Sequence, residues 1–273
     1  MTVTVITDSA AALPADVAEG FGVPVVPLWL HVGADSYRDG ELALSDFLAR
    51  LDEPCSTAAP SPGEFAKAIE TAAENGPVVV LTVAATMSST YASALLASRQ
   101  TSADVTIVDT RSAAGAQGLV VVAAARAAAK GASVDEIVAV ARLVSERVRL
   151  VATVPDVTRL ARSGRLPAAA GRLGARIGAQ PMFELRKGRV RPMRPAFSRA
   201  AALDRIAERC AGGRPGGRLH VAVLHALDPD AAAVLVERVT ALEPATCVVG
   251  SFSPVMVAHT GGGLAGVAWW REP

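Results

Sequence analysis

The sequence of 273 residues contains few cysteines and few aromatic residues. Cys55, Cys210 and Cys247 are far apart and form no Cys-x-x-Cys pair, so neither a disulfide framework nor a zinc knuckle is predicted. Aromatic residues make up 4% of the chain and offer no stacking platform for nucleic-acid bases. His220 and His225, five residues apart in a predicted strand, would face opposite ways. We therefore expect no metal site, no cofactor and no bound nucleic acid.

Long hydrophobic runs are missing as well. The most apolar stretch, residues 118–129, contains Arg126 and is too short to cross a bilayer. Residues 2–6 have the β-branched composition of a strand and lack the charged and apolar regions of a secretory signal. Hydrophobic residues nevertheless form 51% of the chain, enough for one large domain or two ordinary domains with packed cores. We expect a soluble protein of the cytoplasm.

Acidic and basic residues are unevenly divided along the chain. Residues 1–150 contain 10 Lys and Arg against 17 Asp and Glu, a net charge of −7, whereas residues 151–273 contain 17 against 9, a net charge of +8. Opposite charges in the two halves predict two domains, 1–150 and 151–273. Most of the positive excess falls in residues 159–199, where Glu184 is the only acidic residue.

In the first half, short β-branched runs alternate with helical patterns, as in a parallel sheet with crossover helices. The predicted strands cover residues 3–7, 23–32, 78–83 and 105–109. Capping boxes, in which a serine is followed three residues later by a glutamate, begin predicted helices at Ser61 and Ser133. The second of these helices is expected to run to about Arg149.

Strands and turns dominate the second half. Residues 182–185 and 190–194 flank Arg186-Lys187-Gly188 as a hairpin. Further strands are predicted at residues 220–225, 247–251, 255–259 and 265–270. The pattern predicts an α/β protein with a parallel sheet in the first domain and a mixed sheet with a few covering helices in the second. Because no low-complexity linker separates the halves, we expect the domains to lie close together.

Three groups of small polar residues favour a cradle for an anion. Ser56-Thr57 and Ser88-Ser89-Thr90 are each predicted to open a helix, where backbone N–H groups are free to bind an anion. The glycines of His259-Thr260-Gly261-Gly262-Gly263 permit close approach of the backbone to a ligand. Such groups suit one small carboxylate or phosphate. Two alternatives stay open: the hydroxyl residues are ordinary helix caps, and His259 is a satisfied histidine of the core or surface.

Taken in order along the chain, these and further motifs resemble those of the DegV family. They are Thr7-Asp8-Ser9, Tyr37-Arg38-Asp39-Gly40, Ser56-Thr57 with Pro60-Ser61-Pro62, Ser88 to Tyr91, Asp109-Thr110, Gly164-Arg165 and His259 with its glycines. The resemblance covers essentially the whole chain. DegV proteins are bacterial fatty-acid-binding proteins, and some are the acyl-carrying subunit of fatty acid kinase.

The resemblance implies two α/β domains, an N-terminal three-layer domain with a parallel sheet and a C-terminal two-layer domain with a mixed sheet. It also implies a long-chain fatty acid held between them, with its carboxylate bound by Thr57, Ser88, Ser89, His259 and Gly261. The chain itself would be a carrier without catalytic residues or cofactor. A separate kinase subunit would bring ATP and phosphorylate the acyl carboxylate for phospholipid metabolism, and transient contact with a membrane is expected.

At five positions the sequence departs from the DegV motifs. Ala58 replaces a serine next to Thr57, Ser89 replaces a glycine, and Gly262 replaces a proline. Ala12 stands where an aspartate is usual, and Gln180 stands where a lysine is common. We expect these replacements to bear on ligand geometry and partner docking more than on the fold.

The arginine-rich stretch allows two interpretations. One is the solvated side of helices whose apolar residues face inward, formed by Arg159, Arg162, Arg172 and Arg176. The other is a functional surface, in which Arg165 and its neighbours, with Arg194, attract an acidic surface of the kinase or contact the acyl phosphate.

Two further functions stay open. Ser88 and His259 are candidates for the nucleophile and base of an acyl hydrolase, with Asp8 or Asp109 as the orienting group. No Gly-x-Ser-x-Gly motif surrounds Ser88, however. The other function is a carbonyl-substrate subunit like that of dihydroxyacetone kinase, whose fold DegV proteins share and whose histidine binds the substrate covalently.

Overall fold

The computed structural model describes residues 2–165, 179–212 and 217–273. The strands are β1 (Thr4–Asp8), β2 (Val25–Val26), β3 (Trp29–Val32), β4 (Asp35–Arg38), β5 (Cys55–Ala58), β6 (Val78–Thr82), β7 (Val105–Asp109), β8 (Arg149–Thr153), β9 (Gln180–Arg186), β10 (Arg189–Ala196), β11 (Leu219–His225), β12 (Thr246–Ser251) and β13 (Ala265–Arg271). The α-helices are α1 (Ala15–Gly20), α2 (Leu44–Ala49), α3 (Pro62–Ala73), α4 (Thr90–Ser98), α5 (Ala114–Ala129), α6 (Val134–Arg147), α7 (Thr158–Arg162), α8 (Arg199–Ala211), α9 (Pro229–Thr240) and α10 (Pro254–Thr260).

A four-stranded parallel sheet in the order β2-β1-β6-β7 forms the middle layer of the first unit. Every residue of β6 is buried, as expected for a central strand covered on both faces. Helices α3 and α4 pack on one face through Phe65, Ile69 and Ala94, while α5 and α6 cover the other face. The predicted three-layer arrangement is confirmed.

Both predicted capping boxes are present. The Ser61 hydroxyl accepts a hydrogen bond from the Glu64 N–H, and the Glu64 carboxylate accepts one from the Ser61 N–H at 2.8 Å. Ser133 and Glu136 exchange the same pair of bonds at the start of α6. The second helix ends at Arg147, two residues before the predicted end, because strand β8 begins at Arg149.

A six-stranded mixed sheet in the order β10-β9-β8-β13-β11-β12 forms the second unit. Strands β9 and β10 form the predicted hairpin, with Lys187 and Gly188 both at positive φ in the turn, as two-residue hairpin loops require. Helices α8 and α9 cover the face that carries Val221 and Val223. The predicted two-layer arrangement is confirmed. Strand β8 was not predicted, and it begins before the expected domain boundary at residue 151.

A small antiparallel sheet in the order β4-β3-β5 was also not predicted. The expected strand over residues 23–32 is divided into β2 and β3 around Pro27, which has no N–H to donate to a ladder. The expectation that Ser56-Thr57 opens a helix is wrong, because both residues lie in β5. There Thr57 pairs with Leu30 and Ser56 pairs with His31.

The predicted strand over residues 255–259 is a helix, α10. Ser253 is extended, with ψ at 166°, and Pro254 occupies the first helical turn, where its fixed φ and missing N–H are tolerated. The alternation of Val255, Val257 and His259 fits a short strand equally well, and this ambiguity misled the sequence-based prediction. His259 therefore lies in the last turn of a helix, and the glycines follow the helix end.

Helix α5 lies between the two sheets and joins their cores. A Cβ atom on Gly115 would come within 2.9 Å of the Ala222 Cβ, so only glycine permits this close approach of α5 to β11. Buried residues from both sheets form one continuous hydrophobic cluster around α5, as expected for units that lie close together. Over the described parts of the chain, no helix is long and apolar enough to cross a membrane.

Candidate functional site

An apolar cavity of about 340 Å³ lies between the carboxyl ends of the parallel strands and the inner face of the mixed sheet. Its volume is within the range of small-molecule sites. Its apolar lining consists of Ala10, Leu28, Ala58, Ala59, Val83, Met87, Ala113, Ala114, Leu150, Leu160, Phe183, Leu185, Val190, Phe252, Val255, Met256 and Leu264. Its polar lining consists of Thr57, Ser88, Ser89, Arg165, His259 and Thr260. An elongated apolar molecule with one polar group suits such a lining.

Thr57 and His259 meet at the cavity although 202 residues separate them. The Thr57 Oγ1 and His259 Nε2 atoms share a hydrogen bond of 2.8 Å. Pairing of β5 with β3 fixes the backbone of Thr57, and the last turn of α10 fixes that of His259. The structure thus brings these two predicted site residues together.

The His259 imidazole is neutral at physiological pH. Burial, and then the positive charge of Arg165, lower the pKa of His259 from 6.5 to about 4. A neutral imidazole has one N–H donor and one acceptor nitrogen, so it can bond Thr57 and still offer its second nitrogen to a ligand. His259 contributes polarity to the cavity and not charge.

Ser88 lies at the start of α4, as predicted. Its hydroxyl is 2.8 Å from the Thr90 hydroxyl and accepts a hydrogen bond from the Thr90 N–H at 3.3 Å. The N–H groups of Ser89, Tyr91 and Ala92 make no hydrogen bond within the described part of the chain. The first turn of α4 therefore offers free donors beside the cavity, as an anion site requires.

Arg165 enters the same region from the turn after α7. Gly164 adopts φ +75°, a conformation that other residues rarely adopt, and this reverses the chain at the helix end. The Arg165 Nε donates to the Met87 carbonyl at 3.2 Å, and its Nη1 donates to the Ser163 carbonyl at 2.5 Å. The guanidinium is thus held beside Met87, which precedes Ser88. We call Thr57, Ser88, Arg165 and His259 the polar cluster.

The other predicted site residues take different positions. Ser89 lines the cavity, but its side chain is exposed. Gly261 is not among the lining residues of the described chain, and its N–H donates to the Val257 carbonyl at 2.7 Å, closing the end of α10. Arg194 is exposed on β10 and does not line the cavity either. Arg172 and Arg176 lie outside the described residues.

Of the five departing residues, Ala58 and Ser89 line the cavity, whereas Ala12, Gly262 and Gln180 do not. Ala58 lines the cavity next to Thr57 and supplies no hydroxyl. Gly262 is partly buried after α10, where an added Cβ would meet Leu227 at 3.3 Å. Gln180 begins β9, and its Oε1 is buried without a hydrogen-bond partner among the atoms described.

Buried Asp8 holds two segments of the cavity wall. Its Oδ2 accepts from the Val83 N–H at 2.7 Å and its Oδ1 accepts from the Ala10 N–H at 3.0 Å, and both donors belong to lining residues. Complete burial raises the pKa of Asp8 from 3.8 to about 6 against the lowering effect of these bonds. Asp8 is a candidate orienting group of a hydrolase from the sequence, but in the structure it braces the backbone of two segments of the cavity wall.

Hydrogen bonds and ion pairs connect the β9–β10 hairpin to the first unit at the edge of the cavity. The Gly188 N–H donates to the Arg111 carbonyl at 2.5 Å, and the Thr86 hydroxyl donates to the Gly188 carbonyl at 2.6 Å. Lys187 and Arg111 both pair with Glu146 at 2.5 Å. These contacts hold the Phe183, Leu185 and Val190 wall of the cavity against the ends of the parallel strands. No signal in the sequence identified that wall beyond apolar composition.

A second cleft, polar and about 630 Å³ in volume, adjoins the cavity. It shares Thr57, Arg165 and His259 with the cavity and adds Arg159 and Arg162. Three members of the polar cluster, Thr57, Arg165 and His259, therefore line both the apolar cavity and an arginine-rich cleft.

The hydrogen bonds do not assemble the Ser88–His259 pair of a hydrolase. His259 bonds Thr57, and Ser88 bonds Thr90. Among the described contacts, Asp8 accepts from backbone N–H groups, and Asp109 accepts from those of Ala85 and Arg111. The described residues also contain no group of three or more histidine, cysteine and acidic side chains that could hold a metal ion.

Comparison with known proteins gives consistent matches over the full length of the chain. The sequence model described as "Uncharacterised protein, DegV family" matches residues 2–272. A DegV domain-containing protein of Streptomyces coelicolor is 33% identical over 272 residues, covering 97% of each chain. A solved structure of a DegV family protein from Thermus thermophilus, which is described as binding fatty acid, superimposes on this chain with a TM-score of 0.92. The two sequences are 28% identical, and 100% of both chains is covered. DegV of Bacillus subtilis, described as a fatty acid binding protein, has a TM-score of 0.86 at 25% identity and the same coverage.

Proposed function

The chain belongs to the DegV family, and we propose that it binds a long-chain fatty acid in the apolar cavity and presents the carboxylate to a separate ATP-dependent kinase subunit. The observation that carries the proposal is the lining of the cavity, in which one polar cluster adjoins an otherwise apolar wall. The fatty acid binding described for the Thermus thermophilus and Bacillus subtilis proteins supports the same ligand class.

The two parts of a fatty acid contribute differently to binding. Burial of an acyl tail contributes roughly 0.8 kcal/mol per methylene, so about fifteen methylenes supply around 12 kcal/mol before the costs of ordering. Hydrogen bonds from Thr57, Ser88 and His259 to a carboxylate contribute about 1.5–3 kcal/mol each. The tail therefore supplies most of the affinity, and the polar cluster fixes the orientation of the carboxyl group.

The polar cleft supports presentation to a partner. A carboxylate beside Thr57 and His259 faces a compartment that also contains Arg159 and Arg162. Positive side chains at this place suit the phosphate groups of a nucleotide or an acidic surface of the kinase subunit. In this scheme the chain contributes no catalytic residue, because the kinase subunit brings ATP and transfers its phosphoryl group.

Exchange of lipid with a membrane is part of the proposal. Phe197, in the turn between β10 and α8, is 82% exposed, and exposed Arg194 precedes it by three residues. Aromatic side chains with nearby cations favour the interface of an anionic bilayer. Contact there would be transient for a protein that works in the cytoplasm.

The two other functions have less support. The Ser88 hydroxyl bonds Thr90 and not His259, so a hydrolase would need to rearrange both side chains. A small carbonyl substrate would leave most of the apolar lining without a ligand group to contact. A fatty acid uses both the apolar wall and the polar cluster.

Mass spectrometry of organic extracts of the purified chain tests the ligand. We expect about one fatty acid per chain, and we expect a delipidated sample to take up added palmitate to the same ratio. Absence of fatty acid in the extract together with failure of the reloading would overturn the proposal. Turnover of chromogenic esters by the same sample would favour the hydrolase.

A further inference from the structure

A further cleft lies at the opposite end of the mixed sheet from the apolar cavity. Its volume is about 770 Å³, within the range of small-molecule sites. It is lined by Thr246 at the start of β12 and by Trp270 near the end of β13. The apolar cavity is lined instead by Phe252 and Leu264, beside the other ends of these strands. No described residue lines both places. We call this separate site the α5 cleft, because helix α5 supplies one wall of it.

The face that α5 presents to this cleft changes from apolar to cationic along its length. Leu119, Val122 and Ala123 come first, followed by Arg126 and, at the helix end, Lys130. Members of this set that are one helical turn apart are separated by three or four positions, so their side chains share one face. A ligand along this wall contacts aliphatic side chains at one end and two positive charges at the other. Such a wall suits a molecule with an apolar part and an anionic part.

Arg126 is held in place at the cationic end. Its Nη1 donates to the Thr246 hydroxyl at 2.6 Å, and its guanidinium lies 5.7 Å from the centre of the Phe21 ring. The side chain is partly buried, and its other N–H groups make no hydrogen bond among the described contacts. Neither Arg126 nor Lys130 belongs to any of the described ion pairs. A partly buried guanidinium without a counter-ion favours binding of an anion.

The acidic side chain in the α5 cleft does not cancel these charges. The Glu272 carboxylate accepts from Arg218 Nε at 3.0 Å and lies 3.0 Å from His220 Nε2. The hydrogen bond from Arg218 lowers the pKa of Glu272, so the carboxylate is ionised and already paired. His220 Nδ1 is 2.9 Å from the Thr246 hydroxyl, which connects this group to Arg126. The described side chains of the cleft therefore leave the two positive charges on α5 unpaired.

We infer that the α5 cleft binds a small phosphate ester whose organic part is apolar or heterocyclic. A phosphate monoester carries about −1.5 to −2 charges at neutral pH, which matches two unpaired cations, whereas a carboxylate matches one. The planar guanidinium of Arg126 suits paired bonds to phosphate oxygens, and Lys130 adds a point charge. The organic part lies against Leu119, Val122 and Leu143. The inference goes beyond the proposed function and does not depend on it, because the two sites share no described residue.

Isothermal titration calorimetry with two phosphate esters tests the inference. Hexyl phosphate carries an alkyl chain, and adenosine monophosphate carries a heterocyclic base. The protein is first saturated with palmitate, so that the apolar cavity is occupied. We expect at least one ester to bind, about tenfold or more tightly than inorganic phosphate, because its organic part contacts the apolar wall. Hexanol and adenosine, which lack the phosphate, should bind about tenfold or more weakly than the corresponding ester.

Substitutions on α5 locate the site. Arg126→Gln and Lys130→Gln should each weaken binding of the ester about tenfold, because each removes one positive charge that contacts the phosphate. Arg99→Gln and Lys67→Gln are the matched controls, since both residues are exposed and lie outside the cleft. They remove the same charges and should leave the affinity unchanged. Lys130 is exposed, so its variant tests the site even where loss of the Arg126–Thr246 bond impairs folding.

Each outcome decides for or against the α5 cleft. Binding of only the alkyl ester or only the nucleotide supports the site and identifies its organic part. Failure of both esters to bind, or binding no tighter than that of inorganic phosphate, overturns the inference. Unchanged affinity in Lys130→Gln, or an equal loss in Lys67→Gln, also overturns it, because the ester then binds elsewhere or responds to net charge alone. Loading with palmitate tests only the proposed function, so the two failures are distinguishable.

Discussion

The two sides of the cavity are built in opposite ways. The apolar wall draws Phe183, Leu185 and Val190 from one hairpin and Leu150 from the neighbouring strand, a continuous patch of one sheet. The polar cluster draws Thr57, Ser88, Arg165 and His259 from four separate segments, β5, the start of α4, the turn after α7 and the end of α10.

This difference separates affinity from orientation. Burial of a tail against a sheet depends on area and tolerates small shifts of the wall, because the hydrophobic effect has no direction. Hydrogen bonds at the polar cluster depend on distances of about 3 Å and on four segments keeping their positions. Substitutions in the apolar wall should therefore alter the affinity for the lipid, and substitutions in the polar cluster should alter phosphorylation of its carboxylate.

The largest expected effect comes from filling the apolar side. Val190→Trp places an indole in the cavity and should exclude about four methylenes of the ligand, which at roughly 0.8 kcal/mol each lowers affinity about 200-fold. Equilibrium binding of a fluorescent fatty acid measures this effect. Val249→Trp is the matched control, because Val249 is 45% exposed on β12 and does not line the cavity. Equal affinities of the two variants would show that the acid binds elsewhere.

The second largest effect is expected for substitutions in the polar cluster, which should reduce phosphorylation of the bound acid more than its retention. Thr57→Ala or His259→Ala should reduce phosphorylation of the bound acid in a reconstituted kinase assay by about 10- to 100-fold, because one hydrogen bond that orients the carboxylate is lost. Retention of the acid should change much less, since the tail is untouched. Thr71→Ala, at an exposed position of α3, is the control. Wild-type phosphorylation by both cluster variants would contradict the assigned carboxylate position.

A third effect concerns the pH dependence of stability, because two buried groups, Asp8 and His259, have pKa values shifted in opposite directions. The pKa of buried Asp8 is raised to about 6, so as the pH rises from about 4 to about 6 the folded state keeps a proton that the unfolded state has lost. The contribution of Asp8 to the free energy of unfolding therefore falls over that window. The pKa of His259 is lowered to about 4, so its contribution falls in the opposite direction, as the pH drops from about 6.5 to about 4.

Urea unfolding of Asp8→Asn and His259→Gln at pH 4 to 7 separates the two contributions. The free energy of unfolding of Asp8→Asn, relative to that of the wild type, should increase by about 2–3 kcal/mol as the pH rises from 4 to 6. The free energy of unfolding of His259→Gln, relative to that of the wild type, should increase by about 2–3 kcal/mol as the pH falls from 6.5 to 4. Differences from the wild type that do not vary with pH would contradict both pKa shifts.

The smallest effects are expected at two predicted site residues that the structure leaves exposed. Ser89→Ala and Arg194→Ala should each change fatty-acid affinity by less than about 0.5 kcal/mol, as surface substitutions usually do. The same binding assay measures them beside Thr57→Ala. A tenfold or greater loss of fatty-acid affinity in either variant would show that the ligand also contacts residues outside the polar cluster.

Local sequence signals predicted the helices that begin with their own caps. Ser61 and Ser133 each carry both partners of a capping box within four residues, so no distant contact was needed. Three of the four parallel strands, β1, β6 and β7, are predicted equally well because their β-branched runs are bounded by turns, whereas the prediction joins β2 to β3. The three-layer and two-layer architecture followed from these elements and from the family resemblance.

Other elements depend on contacts that the local sequence does not contain. Ser56 and Thr57 have the composition of a helix cap, and only pairing with β3 makes them a strand. The run from Val255 to His259 fits a strand or a helix, and the Ser253-Pro254 start decides for a helix. The apolar wall could not be predicted, since nothing local distinguishes a leucine that lines a cavity from one in the core. The division of the chain at residue 150 stays a prediction.

A crystal structure with a fatty acid brominated at its terminal carbon tests the central claim most directly. We predict an anomalous bromine peak inside the cavity against the apolar side chains of the mixed sheet, with the carboxylate within hydrogen-bond distance of Thr57 or His259. A bromine peak at the polar cluster, or a ligand bound outside the cavity, would contradict the account.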